Sequence, residues 1–312
     1  MISCTEFIPS YSELFTYLED HYGRSEVERF WTYLFKPTGK GIPLINYAKE
    51  KGLRGCWEYW QGTLTEEAAD CAKYMNEKKG WIYLDMRHCP SKGRLLELEK
   101  EIGLKPYHDY CGHCDYYRAA LKEVGIEYLR CNIHTDEARC SDLLYDPKIF
   151  TGLVELGPDV EILDIKPDDH DYFHRDFHSS LNMGIDYMGR EHGVTALDDY
   201  LRLYTQHVYK RTIEAMAKDP FAAIEANIRE TYRLEKASDL VHITKDGKTL
   251  HVRIDYCPAV KHLRDTGRDV SQWFDHATSV VMKTLADHAG LSFTMEAYDH
   301  QTGAAAYTFT KM

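Results

Sequence analysis

The chain repeats a pattern of residues at an interval of about 170 positions, and its fold has to accommodate that pattern twice. Residues 17–23 read Tyr-Leu-Glu-Asp-His-Tyr-Gly, and residues 187–193 read Tyr-Met-Gly-Arg-Glu-His-Gly. Each segment closes a helical pattern on glycine, a residue that stops helices. Each is followed by a second helical run, with Val27, Phe30 and Trp31 in one copy and Leu197, Tyr200 and Leu201 in the other. Further on, residues 81–90 (WIYLDMRHCP) match residues 249–258 (TLHVRIDYCP). Both alternate as strands do, both end in Cys-Pro, and both follow turn-forming stretches, Asn76 to Gly80 and Lys245 to Lys248, that predict hairpins. After Cys-Pro a short helix is predicted on Leu95, Leu96 and Leu98, and its counterpart on Val260 and Leu263. A longer helix follows, from about Cys111 to Gly125 and from about Val270 to Gly290. Strands return over 126–131 and 291–297, and again over 140–145 and 305–310.

Helix, helix, hairpin, Cys-Pro, helix, helix, hairpin, read twice, predicts an α+β fold. It has two similar halves, each of helices plus an antiparallel sheet, arising from an internal duplication. The Pro- and Gly-containing stretch from Asp146 to Pro167 sets the boundary, giving a Cys-rich half over 1–150 and a His-bearing half over 151–312. No parallel strand–helix–strand alternation and no glycine-rich phosphate loop is present.

Charge narrows the partners. Lys and Arg number 38 against 50 Asp and Glu, a net −12. Neutralising phosphates needs a basic face, so nucleic acid and anionic membrane surfaces are poor partners, and a small-molecule substrate is the better expectation. The sequence leaves a homo-oligomer open. No apolar run reaches the roughly 18 residues of a membrane span. The opening Met-Ile-Ser-Cys-Thr-Glu-Phe has no basic region followed by an apolar core, so the expected location is cytoplasmic. In that reducing setting nine cysteines are free thiols or metal ligands before they are disulfides.

The first candidate site lies in the Cys-rich half. Cys111 and Cys114 have the two-residue spacing that lets both sulfurs reach one soft ion. They stand at a predicted helix start, where backbone N–H groups favour thiolate. Cys89 ends one predicted strand and Cys140 begins another, so the fold can bring them to the pair. Four sulfurs suit zinc or, alternatively, an iron–sulfur cluster, and replacing one by His113 suits zinc better. Cys89 or Cys111 is the expected nucleophile or ligand, with His113 as acid–base partner. Buried thiols are the competing reading, with a reversible disulfide as a third. Cys56, Cys71 and Cys131 read as packing residues, and Cys4 as exposed or weakly ordered. The second copy keeps Cys257 and has His276 in the matching helix, but lacks the Cys-x-x-Cys and has Ala304–Ala306 near the place of Cys140.

The second candidate site is the segment 166–178, where Pro167 and the aspartates 168, 169 and 171 suit a helix start. His170, His174 and His178 recur every four residues beside the apolar stripe Phe173, Phe177 and Leu181. Two histidines at i and i+4 chelate one ion, so His174 and His178 are the expected metal pair and His174 a candidate catalytic base. Arg175 stands where a zinc-protease glutamate would be, and Asp176 points to another face. The bland reading is a solvated helix pairing with its aspartates. His207 would join the site if the next helix packs antiparallel. Trp57, Tyr59, Trp60 and Trp81 are expected to be core, Glu66 and Glu67 to open a helix capped by Thr65, and no Gly-x-Ser-x-Gly turn supports a serine nucleophile.

The Cys-Pro strand end, the helix bearing Cys111 to Asp115 and the closing Cys140-Ser141-Asp142 resemble the L-2-amino-thiazoline-4-carboxylic acid hydrolase-like family. The resemblance covers about 65–145 with an echo over 235–310, and implies that Cys89, His113 and Cys140 occupy the family's matching positions. The expectation is a metal- or thiol-dependent hydrolase, cleaving a C–N or C–S bond in a small polar molecule. The alternative is a non-catalytic sensor or carrier of a metal or iron–sulfur cluster on Cys89, Cys111, Cys114 and Cys140.

Overall fold

The structure is a computed structural model that describes residues 1–35 and 43–312. The chain opens with a 3-10 turn, Cys4–Glu6, and helices α1 (Phe7–Tyr22) and α2 (Arg24–Phe35). Val27, Phe30 and Trp31 form one apolar stripe on α2, and all three are buried. Helices α3 (Pro43–Lys51) and α4 (Leu53–Glu66) lead into a hairpin of β1 (Asp70–Asn76) and β2 (Trp81–His88). Helix α5 (Pro90–Ile102), a 3-10 segment (Tyr110–Tyr116) and a short α6 (Tyr117–Lys122) precede a second hairpin, β3 (Glu127–His134) and β4 (Arg139–Tyr145). Strand β5 (Glu161–Ile165) then pairs antiparallel with β1, and the sheet runs β3-β4-β2-β1-β5.

The second half has α7 (Phe177–Tyr187), α8 (Gly193–Val208), α9 (Lys210–Met216) and α10 (Pro220–Leu234). A hairpin of β6 (Val241–Asp246) and β7 (Thr249–Ile254) follows, then α11 (Pro258–Asp265), α12 (Phe274–His288) and the hairpin β8 (Leu291–Tyr298) and β9 (Ala305–Lys311). Its sheet runs β6-β7-β9-β8. Without β5, the first sheet has the same connectivity: outer strand, second strand, fourth strand, third strand. The fold is thus α+β with two antiparallel sheets, and the pattern that repeats in sequence repeats in strand order.

The chain divides into two compact units. The central unit is Leu18–Lys100 with Lys105–His174; the terminal unit is Met1–Tyr17, Glu101–Leu104 and Arg175–Met312. The expected cut at 150/151 misses both the return of residues 1–17 to the second half and the strand β5, which pairs with β1. The Asp146–Pro167 stretch read as a linker because Pro and Gly punctuate it; Ile162 and Leu163 were too few to register as a strand. In the central unit the core joins Trp57, Trp60 and Leu64 of α4 to Ile82, Leu84, Leu121, Tyr128 and Leu144, with Cys56 and Cys71 inside it. Trp81 is fully buried, so the tryptophans are core as expected. Cys131 is only half-buried. In the terminal unit α12 packs on α8 and on β8, and Leu197, Leu201, Val281 and Leu285 are buried.

The two helices before the hairpins end alike. At the end of α4, Ala69 N–H donates to Leu64 O at 3.0 Å and Ala68 N–H to Thr65 O at 3.0 Å. At the end of α10, Ala237 donates to Tyr232 O at 2.9 Å and Lys236 to Arg233 O at 3.0 Å. This is the six-to-one and five-to-two closure that satisfies a helix's last carbonyls, with Ala68 (φ 50) and Lys236 (φ 55) in the left-handed region. The residue at the turning point is Glu67 in one unit and Glu235 in the other. Glu66 and Glu67 therefore end a helix instead of opening one. Trp57 and Trp60 extend the apolar periodicity of α4 through Leu64, which outweighs the capping cue at Thr65.

Candidate metal centre

The cysteines of the central unit converge below the Cys-Pro corner. Pro90 is the first residue of α5 and leaves Cys89 at the strand-to-helix junction. Cys89 N–H donates to Ala138 O at 2.7 Å, which ties the corner to the start of β4, and Lys92 N–H donates to Cys89 Sγ at 3.5 Å. Cys140 lies opposite Met86 in the β2–β4 register. Cys111 and Cys114 sit in the 3-10 segment, which Arg130 of β3 fastens by donating to Cys111 O at 2.8 Å. All four thiols are half-buried.

The thiols lie near enough to feel one another's charge. Burial pushes Cys111 up to about 11, and Cys114 and Cys140 up to about 12; the Cys89 thiol also rises, first from burial and then because Cys114, Cys140 and Cys111 would oppose its charge. The expected helix-start thiolate is therefore corrected. The segment is a 3-10 turn, with the α-helix beginning only at Tyr117, and burial among other thiols outweighs any dipole. Free of metal, these are neutral thiols near pH 7, poor nucleophiles but well placed to lose protons together to a cation.

His113 is neutral as well, lowered to about 4 by burial. Its Nδ1 donates to Tyr110 O at 2.5 Å, since a carbonyl only accepts, and that tautomer leaves Nε2 unprotonated, 3.5 Å from Cys114 Sγ.

Three further groups complete the site. Arg130, its side chain 5% exposed, sits 3.6 Å from Asp115 and 3.8 Å from Asp142. Asp142 is raised to about 6 by burial, against the pull of Tyr128, whose hydroxyl donates to it at 2.9 Å, and of Arg130. Glu67 is raised to about 7 by burial, with His174 and His113 near enough to oppose the rise. Asp142 entered the sequence reading only through the Cys140-Ser141-Asp142 resemblance, and Arg130 and Glu67 carried no spacing signal as site residues.

The histidine segment does not form the expected site. Residues 167–169 make a 3-10 turn, 170–174 form no helix, and α7 begins only at Phe177. Phe173 N–H donates to Glu66 O at 2.8 Å, so the backbone serves another element in place of its own helix. Polar residues that compete for backbone hydrogen bonds crowd this stretch, and no apolar face recurs until Phe177. His174 and His178 are consequently not a chelating pair. His174, in the central unit, binds Glu66 Oε2 through Nδ1 at 2.6 Å; His178, in the terminal unit, binds Glu235 Oε2 through Nε2 at 2.9 Å. His170 is exposed. Asp176 pairs with Arg268 at 2.6 Å and His262 at 3.3 Å. His207 stands in the last turn of α8 and binds Glu13 Oε2 at 2.7 Å.

Cys4, expected at a loose end, is 0% exposed. Its Sγ, a His178 ring nitrogen and a Glu235 oxygen lie within 4.8 Å of one another, the one such triple of metal-ligating atoms among the described residues. No three sulfurs of the central cluster meet that limit, so its thiols surround a spot without closing on it. No family model, curated protein or solved structure matches the chain. No helix among the described residues is long and apolar enough to cross a membrane.

Proposed function

We propose that the chain works by holding a soft metal ion on Cys89, Cys111, Cys114 and Cys140 of the central unit, as a metal sensor or carrier. The observation that carries this is the gathering of four half-buried thiols from a strand end, a 3-10 turn and a second strand, near enough that Cys89 feels the charge of the other three and Cys140 that of Cys114 and Cys111. Around zinc, bonds of about 2.3 Å place sulfurs about 3.8 Å apart, so binding draws the four inward from their present spacing. Arg130 offsets part of the thiolate charge, and the unprotonated His113 Nε2, 3.5 Å from Cys114 Sγ, offers a further nitrogen donor. Zinc is the ion this donor set favours, with an iron–sulfur cluster as the alternative.

A second reading, a hydrolase acting on a small polar sulfur- or nitrogen-containing molecule, is favoured by Glu67. A carboxyl that burial raises to near 7 beside the thiols, against the pull of His174 and His113, suits a general acid–base. When bound with one position open, zinc would supply Lewis acidity. The resemblance of residues 65–145 to the thiazoline-carboxylate hydrolase-like proteins points the same way. Four sulfur ligands close a zinc ion's coordination, however, and the sensor or carrier reading is the better supported.

The test is cobalt titration of the full chain. Wild type is expected to give intense sulfur-to-cobalt charge-transfer absorption, and Cys111→Ser with Cys114→Ser to lose most of it with the fold intact. Unchanged absorption in that double variant would remove the thiol centre. Zinc-dependent cleavage of thiazoline or amide substrates that is lost in Glu67→Gln, with metal retained, would promote the hydrolase reading instead.

A further inference from the structure

We propose that the terminal unit holds a metal ion of its own, a zinc-class divalent cation bound by Cys4, His178 and Glu235. Bonds of about 2.0–2.3 Å around a tetrahedral ion hold its ligand atoms about 3.3–3.8 Å apart. The three donor atoms here lie within 4.8 Å of one another, so closing on an ion takes movements of about an ångström. They come from three separate places: the 3-10 turn Cys4–Glu6, the first turn of α7 and the end of α10.

Burial separates this group from an ordinary surface cluster. Cys4 is 0% exposed, His178 1% and Glu235 4%. Buried charges are paired or bound to metal, and this set balances a dication: one carboxylate, one thiolate once its proton has gone to solvent, and a neutral imidazole. No electrons move. The groups that orient the carboxylate are also in place. Glu235 Oε1 accepts from Ser3 Oγ at 2.8 Å and from Cys4 N–H at 2.7 Å, which fixes the carboxylate and turns Oε2 toward His178. His178 lines a small cavity with Ile2, Leu181, Ile185 and Phe274, which gives its ring room to adjust.

A fourth soft donor stands close by. Cys257 is 4% exposed, feels the charge of Glu235, and donates its S–H to Met1 Sδ at 3.1 Å. Cys257 follows β7 and precedes Pro258, the first residue of α11, as Cys89 follows β2 and precedes Pro90, the first residue of α5, and Glu235 closes α10 as Glu67 closes α4. The repeated architecture therefore points a carboxylate and a thiol at the same corner in both units. In the terminal unit Cys4 and His178 replace the Cys-x-x-Cys and Cys140. This site is dry where the other is half-open, and its role is to fasten the 3-10 turn to α7 and α10.

The full chain carrying Cys111→Ser and Cys114→Ser, grown with zinc, is expected to retain a single zinc ion by native mass spectrometry. Adding Cys4→Ser is expected to remove that ion while circular dichroism shows the fold retained. Absence of zinc from the first chain, or zinc that survives Cys4→Ser, overturns the proposal. Should Cys4→Ser prevent folding, cobalt loaded into the Cys111→Ser, Cys114→Ser chain decides. Four-coordinate bands with weak sulfur charge transfer support the site, and their absence overturns it. The central cluster is silenced throughout, so failure here is distinct from failure of the thiol centre.

Discussion

The two units build the same corner and then treat it differently. In each, a helix ends on a glutamate ahead of a left-handed residue, and a Cys-Pro leads from a strand into the next helix. In the terminal unit the glutamate is fully engaged. Burial alone would raise Glu235, but His178, Cys4 N–H and the Ser3 hydroxyl hold it down to about 2. In the central unit Glu67 finds no such donors among the described residues, and burial lifts it to about 7. One corner thus holds a satisfied, buried anion, and the other a half-buried carboxyl poised to change charge among neutral thiols. Identical backbone scaffolding does not dictate chemistry; the side chains that fill the corner do.

The largest effect expected from breaking this contrast is at Glu235. Glu235→Ala strands the buried His178, Ser3 hydroxyl and Cys4 N–H, and urea unfolding should report a loss of about 3–4 kcal/mol. Glu67→Gln should instead gain about 1 kcal/mol near pH 7.5, a modest figure because the group is only half-buried. The pH dependences oppose each other. Glu235 lies below its unfolded value of 4.5, so its contribution is present above pH 4.5 and fades as pH falls toward 2. Glu67 lies above that value, so the native state holds the proton longer and stability drops as pH rises from 4.5 to 7. Equal losses from the two substitutions would end the distinction between the corners.

The loop that abuts each Cys-Pro corner gives the next effect. A Cβ at Gly303 (φ 69) would fall 2.4 Å from the Cys257 Cβ, so Gly303→Ala should lose about 2–3 kcal/mol. In the central unit the loop position is Ala138, already at φ 54, and Ala138→Gly should gain up to about 1 kcal/mol by relieving strain. Thermal unfolding of both variants checks the pair. A gain for Gly303→Ala would mean that the terminal corner is looser than its contacts show.

A third substitution concerns the sheets. Lys73 of β1 is fully buried, donates to Trp57 O at 2.7 Å, and is lowered to about 7 by burial. The corresponding register position in β6 is Ile243. Lys73→Met should raise stability by about 2 kcal/mol at pH 7. It should also abolish a rise in stability between pH 7 and 10.5, the window in which the unfolded chain holds the proton and the native one does not. A loss of stability at pH 7 would show that the amine's contacts outweigh its desolvation.

Much of the framework was legible because it rests on period and punctuation. The hairpins, the Cys-Pro corners and the helix after each followed from strand alternation, Asp246-Gly247 and proline, and they stand where expected. The Cys-x-x-Cys spacing singled out Cys111 and Cys114, whose charge Cys89 feels along with that of Cys140. The histidine spacing misled because three residues at intervals of four fit a helix only if the backbone is helical. Residues 170–174 instead lend a backbone donor to Glu66. Cys4, Glu235 and Glu67 were invisible for another reason: their partners are distant in sequence, and only tertiary packing reveals them.

The smallest effect separates thiols within and between the corners. In metal-stripped protein at pH 8, Cys111, at about 11, carries roughly ten times the thiolate fraction of Cys114 or Cys140, at about 12. A thiolate of lower pKa is intrinsically less nucleophilic, which returns about a factor of three. Iodoacetamide should therefore modify Cys111 about threefold faster than Cys114 and Cys140, as read by peptide mass spectrometry. Cys4 and Cys257, at 0% and 4% exposure, should react only when the terminal unit opens, so urea should accelerate them far more than Cys111. Parallel rates for Cys4 and Cys111 at every urea concentration would mean that the dry corner is as open as the wet one. The difference between a fastening site and a working site would then be lost.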